Sequence, residues 1–235
     1  MFENININEI LSSFGEILND FFRISKLLGT GALTSLQIFM LTLVFALPLG
    51  LMVAFGRMSK NRIVSSAMRF FILIMRGTPL LLQLMFVYFA PSYIRPESLR
   101  INLDRFVAAI IAFSLNYSAY FAEIYRGGIE SISQGQYEAA AVLGFTKSQT
   151  FFRIIIPQVI KRILPAVGNE VITLVKDTAL VTTLGISELF RAAKNETNRI
   201  CSTSPLFVAG LFYLFMNLIV TKIFDKTEKK LSYYE

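Results

Sequence analysis

The chain has 235 residues, of which 54% are hydrophobic, and its long apolar blocks are typical of a membrane protein rather than of a soluble domain. It has no His and one Cys, Cys201, which excludes an internal disulfide framework and leaves no ligand set for zinc. A net charge of +7 fits basic cytoplasmic loops better than nucleic-acid binding, because the chain is so apolar.

The N-terminal residues 1–27 are acidic at first and lack the basic start and short apolar core of a cleavable signal peptide. We therefore expect an extracytoplasmic segment that precedes a retained first span. Four apolar blocks are long enough to cross about 30 Å of hydrocarbon as helices. These blocks are residues 28–55, 70–90, 106–125 and 206–223.

Residues 163–185 form a further apolar block that is interrupted by polar residues. It contains Pro165, Glu170, Lys176 and Asp177, so it would be a poor helix in lipid and is predicted to face a protein interior. The prediction is therefore an all-α membrane protein with about five transmembrane helices. Residues 28–225 form the membrane domain and residues 226–235 a solvated tail.

Polar residues within the second and third spans are candidates for a hydrophilic path. They are Gln83, Asn116, Tyr117 and Tyr120. Each also has an ordinary interpretation, because amides join membrane helices and Tyr anchors them at the interface. Arg76 precedes Gly77-Thr78-Pro79, which should break the second helix and leave backbone groups that need partners, so a structural or interface role is predicted for Arg76.

The loop from Arg126 to Arg162 is too long to be a plain connection, so it should have its own structure. Its centre predicts two short helices: Ser133 with Gln136 fits one capping box and Thr146 with Gln149 fits a second. Gly144 is placed to end the first helix in a left-handed conformation, although it could be an ordinary helix end.

Two interpretations of this hairpin are open. It lies on lipid headgroups, or it docks into another protein through small side chains beside Glu138. Residues 131–146 contain no Lys or Arg, whereas helices that lie on membranes usually do, and this favours docking to protein.

Glu170, Thr173 and Asp177 recur at helical spacing and so share one face of the fourth span. We expect Glu170 to accept the ammonium or cationic group of a substrate, or else to form an ion pair or hydrogen bond between helices. Lys176 is about 100° away from Asp177 around the helix and is a candidate for pairing across a subunit interface.

The distribution of Lys and Arg predicts the orientation of the chain. With the N-terminus outside, thirteen Lys or Arg residues are cytoplasmic and eight are outside, in agreement with the positive-inside rule. The predicted location is the bacterial cytoplasmic (inner) membrane, crossed several times, with the C-terminus in the cytoplasm.

Several motifs together resemble the permease subunits of ABC importers, in the subgroup for polar amino acids. Glu138-Ala139-Ala140, Gly144 and the following Ile154-Ile155-Ile156-Pro157 look like the EAA motif, with Ile156 where the family has Leu. The segments that look like that subgroup cover about half the chain. They are Arg76 to Leu80, Ala122 to Ile129, Gln134 to Glu138, Leu164 to Glu170 and Lys176 to Leu180.

The resemblance implies a type I importer fold with a cytoplasmic coupling helix at about residues 130–152. Two permeases, identical or different, would enclose the path for an amino-acid substrate. A dimer of ATPase subunits would dock on Glu138, Ala139, Ala140 and Gly144, and an extracytoplasmic binding protein would deliver the substrate. ATP and Mg²⁺ would bind to that ATPase, and no cofactor is expected on this chain.

Two other functional classes fit the sequence less well. The chain has no phosphate-binding P-loop and no His base, so ATP hydrolysis and other enzymatic activity are not expected of it. An ion channel would also place polar residues in its spans, but it does not need a coupling hairpin, and no Arg-rich sensor helix or filter loop is evident.

Overall fold

The structure is a computed structural model that describes residues 7–95, 98 and 100–231, without the side chains of residues 7–14 and 17. The described residues form helices and connecting turns, with no strand among them. The α-helices are α1 (Ile7–Arg57), α2 (Arg62–Gly77), α3 (Leu80–Phe89), α4 (Arg105–Glu130), α5 (Gln134–Val142), α6 (Lys147–Gln149), α7 (Ile156–Asp177), α8 (Leu189–Ile200) and α9 (Ser204–Leu231). Tighter 3₁₀ turns follow α3 and α7, at Ala90–Tyr93 and Thr178–Leu184.

Within the described ranges, three helices are long and apolar enough to cross a membrane: Leu18–Arg57, Arg105–Glu130 and Ser204–Leu231. A fourth crossing results if α2 and the following helix count as one span that bends by 109°. The predicted crossing at residues 163–185 is not in this set. Its helix, α7, contains Glu170, Lys176 and Asp177, and this crossing stays a prediction.

The first span is longer at its start than the sequence indicated. It was predicted from residue 28, but α1 is helical from Ile7 and the part of it that is a candidate span begins at Leu18. Residues 1–6 of the expected N-terminal segment lie outside the described residues. At the other end, α9 continues into the expected tail as an exposed helix as far as Leu231, and residues 232–235 are likewise outside the description.

The helix α4 lies at the centre of the structure and is the most buried of the three spans. Its apolar residues share one core with α1, α3 and α7. The contact with α1 is close at Gly50, where a Cβ atom would lie 2.8 Å from Cβ of Phe121 and 3.0 Å from the backbone oxygen of Ser118. A larger residue at position 50 would push these two helices apart.

A buried glutamate fixes α8 to the spans. Glu188 caps the start of α8, where its carboxylate accepts hydrogen bonds of 2.7 Å from the backbone N–H groups of Phe190 and Arg191. The same carboxylate accepts bonds from Tyr213 of α9 (3.1 Å) and Ser35 of α1 (3.4 Å). Four donors compensate for burying a charge with no exposed area, so α8 is held against α1 and α9.

The second span is broken where its sequence predicted. The helix α2 ends at Gly77, Thr78 is extended, and α3 begins at Leu80. Pro79 explains the break, because it has no N–H group to offer and disfavours a helical conformation for the residue before it. Arg76 is the last charged residue before the break.

Candidate functional site

The hairpin between α4 and α7 begins with α5, and one of its two predicted caps is wrong. Ser133 is the N-cap residue of α5, but its side chain makes no capping bond, and the N–H of Gln136 bonds to the backbone oxygen of Ser133 instead. The Gln136 side chain contacts α7, where its oxygen accepts a hydrogen bond of 3.3 Å from Gln158. That contact competes with the predicted reach back to Ser133.

Gly144 ends α5 in the left-handed conformation that the sequence predicted, with φ of +78°. The N–H of Gly144 bonds to the oxygen of Ala141, and the N–H of Phe145 bonds to the oxygen of Ala140, each at 3.0 Å. This pair of bonds is a Schellman motif, and it satisfies carbonyl groups at the end of the helix. Because residues other than Gly rarely adopt positive φ, Gly144 fixes the direction in which the chain leaves α5.

The second predicted cap is confirmed, since Thr146 and Gln149 form both bonds of a capping box at the start of α6. The predicted second short helix, however, does not stand alone. A π-helical segment, Thr150–Ile155, joins α6 directly to α7, so the return arm of the hairpin is continuous with the following long helix. A movement of the hairpin can therefore pass into α7 without crossing a flexible loop.

The residues predicted for coupling occupy this hairpin. Glu138, Ala139 and Gly144 are exposed, whereas Ala140 is buried. The end of α5 also exposes two large apolar side chains, Val142 (87% exposed) and Leu143 (73%). Such an apolar surface beside small side chains is suited to contact with another protein.

The polar face predicted on α7 is present, with Glu170 and Asp177 half-buried and Thr173 exposed. No described residue donates a hydrogen bond to the Glu170 carboxylate. Thr173 bonds to the backbone oxygen of Asn169 within its own helix at 2.9 Å. Lys176 is exposed beside this face and interacts electrostatically with Asp177, and its pairing with another subunit stays a prediction.

Tyr117 and Asp177 are brought together although they belong to different helices. The Tyr117 hydroxyl on α4 donates a hydrogen bond of 2.7 Å to Oδ2 of Asp177 at the end of α7. Tyr117 is 2% exposed, so the bond joins two helices inside the protein. The contact joins two helices, whereas the ordinary interpretation of Tyr117 was an anchor at the membrane interface, and a role of either residue in the path stays a prediction.

Asn116 and Gln83 make contacts with each other and with the broken span. The Asn116 amide donates to Oε1 of Gln83 and to the backbone oxygen of Met75, each at 2.9 Å. The Gln83 amide donates to the Met75 oxygen at 2.9 Å and to both the backbone and side-chain oxygens of Thr78. Both side chains are buried, and their N–H groups bond to backbone carbonyl groups at the break in the second span.

Arg76 faces a cavity of about 440 Å³ at the break. Its guanidinium carbon lies 5.1 Å from the centre of the Tyr120 ring, an arrangement in which a cation interacts favourably with an aromatic face. The guanidinium also interacts electrostatically with Glu170 on the polar face of α7. Tyr120 therefore contacts the residue that precedes the break.

Two further arginines, Arg57 and Arg69, line this cavity, and sequence reasoning assigned them only to cytoplasmic loops. The one carboxylate in the lining is Glu123, whose oxygens already bond to Arg126 at 2.7 and 3.3 Å. The cavity is therefore strongly cationic. Arg62, Arg69 and Arg76 recur at seven-residue intervals on α2, and this spacing was the signal available in the sequence.

Sequence reasoning also gave no role to Glu188, the buried carboxylate that caps α8. Its signal was an acidic residue directly before a helical pattern, which is typical of an N-cap, but nothing local shows that Ser35 and Tyr213 converge on it.

The chain is similar to transport proteins over most of its length. It is 38% identical over 203 residues to the arginine transport system permease protein ArtQ of Bacillus subtilis, covering 86% of this chain and 91% of that protein. It is 35% identical over 202 residues to a putative glutamine transport system permease protein, GlnP, of Rickettsia felis, with the same coverage of both chains.

A solved structure has the same architecture. It is the crystal structure of an amino acid ABC transporter with histidines, which matches this fold with a TM-score of 0.80 at 32% sequence identity. The match covers 90% of this chain and 97% of that chain. The model of the family "binding-protein-dependent transport system inner membrane component" matches residues 46–233. The chain therefore belongs to the family of inner membrane components of binding-protein-dependent transport systems, and its fold is that of a type I ABC importer permease.

Proposed function

We propose that this permease subunit imports amino acids and recognises the two charged groups that every amino acid carries. The observation that supports this most directly is the opposite charge of Glu170 and Arg76, which interact electrostatically across the region between α7 and the broken span. The Glu170 carboxylate accepts no hydrogen bond from a described residue and is available to the substrate ammonium group. The Arg76 guanidinium takes the carboxylate group.

The cost of placing these charges within a membrane supports the assignment. A charged side chain within a membrane costs roughly 2.5 to 3.5 kcal/mol on insertion scales unless it meets a partner or water. The cavity beside Arg76 contains the guanidinium groups of Arg57 and Arg69 as well, and its one carboxylate is already bonded to Arg126. This excess of positive charge suits the passage of a group that carries a carboxylate.

The two relatives are named for the transport of arginine and of glutamine, whose side chains differ in charge. The two molecules share their α-ammonium and α-carboxylate groups. A path that binds those shared groups accepts amino acids as a class. Selectivity among side chains then depends on other residues or on the binding protein.

We also propose that the hairpin α5 to α6 docks on a separate ATPase, which binds ATP and Mg²⁺. Val142 and Leu143 supply an exposed apolar surface beside Glu138 and Ala139. The sequence contains no P-loop, so the energy must come from another chain. The N-terminus is outside and the hairpin is cytoplasmic, following the excess of Lys and Arg on that side.

Uptake into vesicles tests the proposal. Vesicles that contain this chain, its second permease, its ATPase and its binding protein should accumulate labelled amino acids only when ATP is supplied. Flux of small solutes without ATP would favour a channel instead, and would remove the reason for assigning the hairpin to coupling.

A further inference from the structure

We propose that Asn116 and Gln83 are positioning residues: they hold the second span in its broken shape and thereby keep Arg76 at the translocation path. This goes beyond the proposed import of amino acids, and depends on it only for the uptake measurement given below. The sequence left two interpretations open for both amides, a place in the path or a join between helices, and their contacts are with the backbone around Pro79.

The need for such residues follows from the position of the proline. In a continuous α-helix the oxygen of Met75 would accept a hydrogen bond from the N–H group of residue 79, but Pro79 has none. The bend also deprives Thr78 of its usual donor, because the N–H of Leu82 bonds to Pro79 instead. Within a membrane protein such carbonyl groups need other donors, since unsatisfied ones cost several kcal/mol in hydrocarbon.

The two amides supply those donors. Both of them bond to the Met75 oxygen at 2.9 Å, and Gln83 bonds to the Thr78 oxygen at 3.1 Å. The bond from Asn116 to Oε1 of Gln83 orients the second amide. The N–H groups of both amides are thus used within the protein, and the side chains are only 4% and 9% exposed. They act on the span rather than on a substrate.

The position of Asn116 on α4 connects the break with Arg76. Asn116 holds the carbonyl of Met75, and Tyr120, one helical turn further along α4, lies under the guanidinium of Arg76. Neighbouring residues of α2 are therefore fixed at two points on one face of α4. If the Met75 carbonyl is released, the end of α2 is no longer held in register with α4, and Arg76 moves away from Tyr120 and Glu170.

A distance measurement tests the first half of the inference. Spin labels are placed at Ile63 on α2 and at Tyr93 after α3, both largely exposed, in a chain whose native cysteine is removed by Cys201→Ser. A continuous helix would separate these positions by about 45 Å. The 109° bend brings them to roughly half of that distance. The full chain, assembled with its ATPase, is measured by pulsed electron paramagnetic resonance in nanodiscs.

The variants Asn116→Leu and Gln83→Met remove the donors and keep side chains of similar length. Each should broaden the distance distribution and move it to longer distances. Ser118→Ala is the matched control, because Ser118 is also fully buried on α4 but bonds only to Leu115 of its own helix. If both amide variants give the same distance distribution as the control, the proposal is overturned. No substrate is needed, so this result is independent of which solute is transported.

Uptake kinetics test the second half. With labelled arginine and labelled glutamine as probes, Asn116→Leu should raise KM at least about five-fold and change the maximal rate less, because Arg76 is displaced but coupling is intact. An unchanged KM alongside an altered distance would overturn the link to Arg76. If the unmodified complex carries no member of a panel of labelled amino acids that includes both probes, the proposed substrate class fails while the distance result remains valid.

Discussion

The hydroxyl group of Tyr117 on α4 and Oδ2 of Asp177 at the end of α7 lie 2.7 Å apart, although 60 residues separate them in the chain. This bond joins the central helix to the helix whose polar face was predicted to line the path. It gives Asp177 a partner within the protein, whereas Glu170 on the same helix accepts no hydrogen bond from a described residue.

Tyr117→Phe should therefore destabilise the chain, because it leaves a half-buried carboxylate without its donor. The expected loss is about 1 to 3 kcal/mol, and it should appear as a lower midpoint of thermal unfolding in nanodiscs. Tyr125→Phe is the matched control: Tyr125 lies on the same helix and is partly buried, but its hydroxyl makes no hydrogen bond with a described residue. Equal midpoints for both variants would show that the bond to Asp177 contributes nothing.

Glu170→Gln should reduce uptake at least about ten-fold and leave the ATPase bound, because the neutral amide no longer attracts a substrate ammonium group. The initial rate of labelled amino-acid uptake measures the first effect, and copurification of the ATPase measures the second. Thr173→Val is the control on the same face of α7, since the Thr173 hydroxyl bonds within its own helix. Unchanged kinetics in Glu170→Gln would assign that residue to packing.

Gly144→Val should leave membrane insertion intact and abolish ATPase association or coupling. A residue with a Cβ atom in the left-handed conformation costs about 1 to 2 kcal/mol, so the turn after α5 must change direction. Gly135→Val is the control that separates the effect of the left-handed backbone from the effect of a larger side chain. A Cβ atom at either position meets nothing within 4 Å, but only Gly144 has a positive φ. Normal ATP-driven uptake by Gly144→Val would contradict the docking role of the hairpin.

Val142→Asp and Leu143→Asp should weaken ATPase binding at least about ten-fold without lowering the stability of the permease alone. Both side chains are exposed, so the chain itself loses no burial, whereas an apolar interface would have to bury a charge. Ser148→Asp adds the same charge at an exposed position on α6. The association constant between permease and ATPase decides the question, and a similar loss in all three variants would indicate a general effect of charge.

Local sequence patterns were sufficient for several features of the fold. The Gly77-Thr78-Pro79 segment predicted the break in the second span, because proline lacks the N–H group that a helix requires. Gly144 predicted the turn after α5, and the capping box of Thr146 and Gln149 predicted the start of the following helix. Both signals also depend only on neighbouring residues. The capping box predicted for Ser133 and Gln136 does not form, because the Gln136 side chain bonds instead to Gln158, which is 22 residues away in the chain.

The sequence by itself determined the membrane class, the principal apolar spans and the hairpin between α4 and α7, since these depend on hydropathy, helix period and turn chemistry within short windows. Only the tertiary structure decided what the polar residues inside the spans contact. Asn116 donates a hydrogen bond to the backbone oxygen of Met75, Tyr117 bonds to Asp177, and Glu188 caps a helix between two spans. Each pairing depends on which helix faces meet, and that is set by packing over the whole chain rather than by neighbouring residues.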